Sequence, residues 1–279
     1  MIAINNHSFL IIVFAVPTSV KANIDYFPIN PCCRGNVDII DLKEDFEIFD
    51  AMERIPCSIS AEEFQHNFEA LRKPVVLQGC ASLWKSSNRW SAENINNLVK
   101  NETMWRATLD DENDMADHIN WLSIVEAREK NSFFYVFDNL DKPSGQVLVE
   151  DYDTPQMFRY DMFETLAFPP NDYGSMRWFT FGSKLSGTNP HVDPFYTDAW
   201  NTVVRGVKWW ILFPLYEYEF LKHDMEMKCD PDCSLRTSVA DFYSSILSDP
   251  WELYGQSSLQ HIFVKEGETI YIPAGVPHR

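Results

Sequence analysis

Three residues of this chain could gather a metal ion. His191-Val192-Asp193 sets an imidazole and a carboxylate two positions apart. On a β-strand, residues i and i+2 project from one face, so both groups would point the same way. His278 follows the predicted strand Glu268-Thr269-Ile270-Tyr271-Ile272 and the turn Pro273-Ala274-Gly275-Val276-Pro277. Two histidines and one carboxylate on one side of a metal form the ligand set of non-haem Fe(II) oxygenases, which leaves coordination positions open for a co-substrate and dioxygen. A zinc site for hydrolysis or isomerisation would use the same three ligands. With 7 His in the chain, a His-x-Asp also arises by chance, and a surface turn or a satisfied buried histidine accounts for it equally well. One lysine adds weight to the chemical reading. Lys208, Trp210 and Leu212 share a face if their run is a strand, and a lysine beside Trp and Leu is seldom idle.

The elements that would carry these residues lie in the second half. RWFTFG, AWNTVV, KWWILF, HIFV and ETIYI, all after about residue 177, are short runs of aromatic and β-branched residues separated by Gly, Pro and Asp. Such runs predict a sandwich or closed barrel of the jelly-roll type. One helix is expected among them, near 238–247. The first half is mixed. Ser60-Ala61-Glu62-Glu63 is a capping box, and Phe64, Phe68 and Leu71 recur at helical spacing, so a helix is predicted over 61–71. Pro74 stops it before the strand Val75-Val76-Leu77. Further helices are expected from Ser91 to Lys100 and over 117–130, the latter leading into a strand at Phe133–Phe137. The fold class is therefore mainly β with α decoration: a barrel at 177–279, a mixed α/β part at 57–176 and an extended arm at 23–56.

Composition narrows the partners. The chain has 279 residues, 45% hydrophobic and 14% aromatic, which is ample for a folded core and excludes a disordered or collagenous protein. With 23 Lys+Arg against 41 Asp+Glu, the formal net charge is −18, which argues against broad nucleic-acid binding and favours basic partners. Phe9–Val16 is an unbroken apolar run too short to span a bilayer. Residues 1–22 accordingly read as a secretory signal peptide, without the usual basic start, or else as an N-terminal strand. Cleavage would place the chain in the secretory pathway or ER lumen; otherwise it belongs to the nucleus or cytoplasm. The six cysteines, at 32, 33, 57, 80, 229 and 233, could pair in an oxidising lumen. Cys229 and Cys233, with His223 upstream, fit a loop disulfide or free thiols better than a zinc site, and Asn101-Glu102-Thr103 is a glycosylation sequon.

The stretch GTNPHVDPFYTDAWNTVVRGVKWWILFP, together with IPAGVPH at 272–278, resembles the JmjC family of Fe(II)- and 2-oxoglutarate-dependent oxygenases. Within that family the chain looks most like the subgroup named for a former phosphatidylserine receptor, described as lysyl hydroxylase and arginine demethylase. The likeness continues through KPVVLQG, SSNRWSAENI, FFYVFD, VLVEDYDTPQMF and MRWFTFG, from about residue 55 to the end. It implies a double-stranded β-helix of cupin type, with His191, Asp193 and His278 as iron ligands. It further implies that Lys208 binds the distal carboxylate of 2-oxoglutarate in a charge-assisted hydrogen bond, assisted by Thr188, with Asn201 and Tyr135 helping to hold the co-substrate. Taken singly, Lys208 could be a solvated strand residue, Asn201 a satisfied amide and Tyr135 a core aromatic. The implied reaction uses dioxygen, with ascorbate helpful. It converts 2-oxoglutarate to succinate and CO2 while hydroxylating a protein side chain, lysyl or similar, or demethylating methylated arginine or lysine.

By the family pattern the barrel continues beyond Arg279, so a C-terminally truncated chain is expected. The competing expectation is a catalytically silent JmjC-like module that binds a protein or a basic peptide. A zinc cupin would leave Lys208 and Thr188 unexplained.

Overall fold

The computed structural model describes residues 12–14, 50–99, 104–109, 118–130, 134–140, 143–160, 177–183, 186–188, 190–216, 218–219 and 259–279. Cys32, Cys33, Cys229, Cys233, His223, the Asn101 sequon, the helix near 238–247 and most of 1–22 and 23–56 lie outside the described residues.

In chain order the strands are β1 (Ile12–Phe14), β2 (Arg54–Pro56), β3 (Val75–Gln78), β4 (Met104–Thr108), β5 (His118–Asn120), β6 (Tyr135–Asn139), β7 (Trp178–Gly182), β8 (Ala199–Arg205), β9 (Val207–Leu212), β10 (Gln260–Lys265) and β11 (Thr269–Ile272). The helices are α1 (Ala61–Phe64), α2 (Ser86–Arg89), α3 (Ala92–Val99), α4 (Trp121–Glu129) and α5 (Pro143–Val149). One sheet runs β1-β8-β11-β3-β2, a second β5-β4-β6-β7, and β9 pairs with β10. The β8–β11, β11–β3, β9–β10 and β6–β7 pairings are antiparallel.

Side-chain alternation divides the interior in two. Along β11, Ile270 and Ile272 face one way and Tyr271 the other; along β8, Ala199 and Val203 oppose Trp200 and Val204. The first set meets Val76, Trp210, Leu212, Ile262 and Val264 to fill the space between the large sheet and the β9–β10 ribbon. The second set packs under the N-terminal half, where Phe158 stacks on Trp200 at 5.3 Å and Phe64 meets Tyr271 edge-on at 5.0 Å. The first of these spaces is the one that opens onto the candidate metal ligands.

Local chemistry explains where the elements differ from expectation. The capping box forms: Ser60 Oγ accepts from the Glu63 amide at 3.1 Å, and Glu63 Oε2 accepts from the Ser60 amide at 3.3 Å. The helix it starts changes to π-type winding over Gln65–Glu69, so regular α geometry does not reach residue 71. The helix expected from 117 begins at Trp121, because 118–120 pair with β4 and Asn120 Oδ1 caps the Leu122 amide at 2.9 Å. The strand predicted at 133–137 is shifted to Tyr135–Asn139 by its antiparallel pairing with β7.

Two cross-links tie the start of this unit to the barrel. Asp50 accepts from the Phe263 amide at 2.9 Å and pairs with Arg54, which also reaches Glu268. Cys57 and Cys80, with Cα atoms 5.1 Å apart, form a disulfide across β2 and β3. Closing a loop of this length restricts the unfolded chain. Cys80→Ser in the oxidised protein is expected to lower unfolding free energy by about 3 kcal/mol in a urea titration, and a non-reducing digest should yield a joined Cys57–Cys80 peptide only from the parent chain.

Candidate metal centre

The two histidines come together through their backbones. His191 and His278 form an isolated antiparallel bridge, His191 N–H donating to His278 O at 2.9 Å and His278 N–H to His191 O at 2.8 Å. On its other side the chain at His278 runs beside the end of β9, with Phe213 donating to Pro277 O and Arg279 to Ile211 O. His191-Val192-Asp193 is therefore a bridge leading into a short 3-10 turn over Pro194–Tyr196, not a strand. The side chains converge nonetheless. His191 Nε2 lies 3.6 Å from Asp193 Oδ1, and His278 Nε2 lies 3.8 Å from Asp193 Oδ2. One ligand atom from each residue falls within 4.8 Å of the other two, a spacing that could hold a metal ion, and this is the one such group among the described residues.

The surroundings prepare these groups for ligation. His278 Nδ1 sits 2.9 Å from Val276 O, so the ring donates there and turns its Nε2 lone pair toward Asp193. Burial, reinforced by the neighbouring His191 and only partly opposed by Asp193, pushes His278 down to about 4, so it is neutral at pH 7. For Asp193 burial acts in the raising direction, but His191, His278 and Lys208 together outweigh it and hold the carboxyl below its usual range. An ionised carboxylate and a neutral imidazole need lose no proton to bind a cation at neutral pH.

All seven residues singled out in the sequence line one cavity: His191, Asp193 and His278, with Tyr135, Thr188, Asn201 and Lys208. The parity expected of β9 holds, since Lys208 Nζ lies 3.8 Å above the ring of Trp210, which lines the same cavity. Burial lowers Lys208 to about 7, against the opposing attraction of Asp193. Asn201 is 1% exposed, and neither its amide nitrogen nor its oxygen has a hydrogen-bond partner. A buried amide left unpaired is costly, so two free polar atoms facing a cavity mark a place for water or a polar ligand. Tyr135 is buried with its hydroxyl bonded to Thr180, and burial raises its pKa. Sequence reasoning missed one donor: Trp210 Nε1 is also buried without a partner, and an indole on a strand face gives no hint of its polar edge.

Residues 61–279 match the Cupin-like domain family. The chain is 28% identical over 239 residues to a bifunctional arginine demethylase and lysyl-hydroxylase of Caenorhabditis elegans, covering 82% of this chain and 58% of that protein. It is 31% identical over 222 residues to an arginine-specific demethylase of Arabidopsis thaliana, covering 79% of this chain and 41% of the plant protein. A lysine-specific demethylase of the same plant is 29% identical over 231 residues, with 79% and 23% covered. The chain thus spans less than two thirds of the length of each of these relatives.

Behind the sheet, on the face away from the cavity, lie two carboxyl groups. Asp198 accepts from the Tyr271 hydroxyl at 2.9 Å and from the Ala274 amide at 2.7 Å. Burial, with Asp198 nearby, raises Glu69 from its ordinary 4.5 to about 7. Between those two pH values the unfolded chain releases a proton that the folded chain retains, so Glu69 removes stability as pH rises through the window. Glu69→Gln is expected to raise the melting temperature at pH 8 and to leave it unchanged at pH 4. An equal change at both values would contradict this assignment.

Proposed function

The chain belongs to the Cupin-like (JmjC) domain family, and from that premise we propose that it is an Fe(II)- and 2-oxoglutarate-dependent oxygenase of protein side chains. In this reading His191, Asp193 and His278 hold the iron, while Lys208, Thr188, Asn201 and Tyr135 hold 2-oxoglutarate. The residues fit both groups: two imidazoles and a carboxylate are the donor set of an open ferrous site, and the unpaired Asn201 amide offers a donor and an acceptor to the co-substrate. When bound, the iron supplies activation of dioxygen coupled to decarboxylation of 2-oxoglutarate to succinate and CO2.

The chain's own residues have simpler tasks. Lys208 neutralises the distal carboxylate of the co-substrate, and contact with that anion would return its lowered pKa toward the charged form. Thr188 supplies a hydroxyl to the same carboxylate. His278 is kept in one tautomer by Val276 O. Ala199, Trp210 and Ile272 enclose the cavity with apolar surface, which limits water around the reacting centre. The observation that carries the reading is Lys208 lining the same cavity as the triad. A zinc hydrolase or a silent scaffold has no need of that cation.

For substrate we propose a protein carrying lysyl or arginyl side chains, through hydroxylation of lysine or a similar residue, or through demethylation of methylated arginine or lysine. Support comes from the relatives' activities on arginine and lysine and from a net charge of −18, which attracts basic segments. The test is succinate release from 2-oxoglutarate with Fe(II), ascorbate, oxygen and a Lys/Arg-rich peptide library. Asp193→Ala is expected to abolish release. Lys208→Ala is expected to raise the 2-oxoglutarate concentration for half-maximal release at least ~30-fold, because losing one partner of a desolvated charge pair costs about 2 kcal/mol or more. A folded parent chain that binds neither Fe(II) nor 2-oxoglutarate would leave the catalytically silent binding module in its place.

A further inference from the structure

The backbone of His278 is fixed by its bridge to His191, but the bridge does not fix the ring. Beside packing on His191 and Trp210, ring orientation depends on the contact from Nδ1 to Val276 O, and so on where the turn Pro273–Val276 sits. That turn closes on itself through Val276 N–H to Pro273 O at 3.1 Å and passes through Gly275 at φ 70°. It is held from outside at Ala274. The Ala274 amide donates to Asp198 at 2.7 Å, and the Ala274 carbonyl accepts from Arg72. The same Asp198 oxygen takes the hydroxyl of Tyr271, whose fully buried ring packs on Phe64. The carboxylate is thus anchored in the core at one end and grips the turn at the other.

The packing around the turn is tight. A Cβ at Gly275 would lie 2.6 Å from Tyr196 Cδ1, and φ is 70°, so this position favours glycine. Arg72, Phe195 and Tyr196, at φ 51°, 60° and 54°, are the non-glycine residues with positive φ among the described residues. Arg72 and Tyr196 both meet the turn, and Phe195 directly precedes Tyr196. Strained backbone of this kind persists only where its surroundings over-determine it. Here it borders the two segments that deliver Asp193 and His278.

We propose that Asp198 is a positioning residue for the metal centre: by holding the Ala274 amide it fixes the turn whose Val276 carbonyl aims His278 Nε2 at the metal. This inference rests on the reading of His278 as a ligand. Supporting contacts of this order typically change metal affinity by roughly 10- to 100-fold. An asparagine at 198 keeps an acceptor oxygen for both donors, whereas alanine keeps none.

The test is a Co(II) titration of the full chain followed by visible d–d absorption, with melting temperatures recorded in parallel. Asp198→Ala is expected to weaken Co(II) binding ~10- to 100-fold and to alter the d–d spectrum, while Asp198→Asn restores affinity to within about threefold. Ile95→Ala, which loosens the core at α3 and leaves Tyr271 and its ring partners Phe64 and Phe158 in place, is expected to lower the melting temperature and leave Co(II) affinity and spectrum unchanged. If the parent chain binds Co(II) and Asp198→Ala binds it equally tightly with the same spectrum, the inference is overturned and the metal reading stands. A loss of affinity in Ile95→Ala equal to that in Asp198→Ala overturns the inference in the same way. A folded parent chain that binds no Co(II) overturns the metal reading, and the inference with it.

Discussion

The reciprocal backbone hydrogen bonds between His191 and His278 join two segments that lie 87 residues apart in the chain (278 − 191). Residues 277–279 then continue that pairing beside the end of β9. This closure brings the two imidazoles to a centroid separation of 4.5 Å and leaves Asp193 between their Nε2 atoms. Most of the surrounding architecture serves it. The large sheet delivers β11 and the turn after it; β8 carries Asn201, which lines the cavity, and packs Trp200 on Phe158; β9 carries Lys208.

The second constraint is electrostatic. Two imidazoles, a carboxylate and an ammonium share one enclosed space, where charges interact strongly because little water screens them. Burial drives His278 and Lys208 toward their neutral forms; it also opposes the charge on Asp193, but the hydrogen bond from His191 and the attraction of the neighbouring groups outweigh it and hold that carboxyl below its usual range. Under the proposed function, a cation beside the carboxylate and an anion beside the lysine would complete such a site. The free amide of Asn201 points to the same need.

Much of this was legible in the sequence because strands expose their pattern. Alternation in KWWILF correctly placed Lys208 on the same face as Trp210. The capping box at Ser60 read correctly because its bonds are local. Features that depend on distant partners were not legible. The strand β5, which cuts short the helix expected from 117, exists only through pairing with β4. His191 and Asp193 converge by way of a bridge and a 3-10 turn, which period-2 reasoning does not anticipate. Six cysteines allow many pairings, and only the folded sheet selects Cys57 with Cys80. Asp198 is one acid in the run YTDAW, and its partners at Tyr271 and Ala274 lie more than seventy residues away.

If the triad and Lys208 form one site, its two ligands bind together. Calorimetric titration with Mn(II), a divalent ion that resists oxidation, in the absence and presence of 2-oxoglutarate tests it most directly. 2-Oxoglutarate is expected to tighten Mn(II) binding, Mn(II) to tighten 2-oxoglutarate binding by the same factor, as linkage requires, and both effects to vanish in Asp193→Ala. Affinities that are independent of each other, or 2-oxoglutarate binding unchanged in Asp193→Ala, would contradict it.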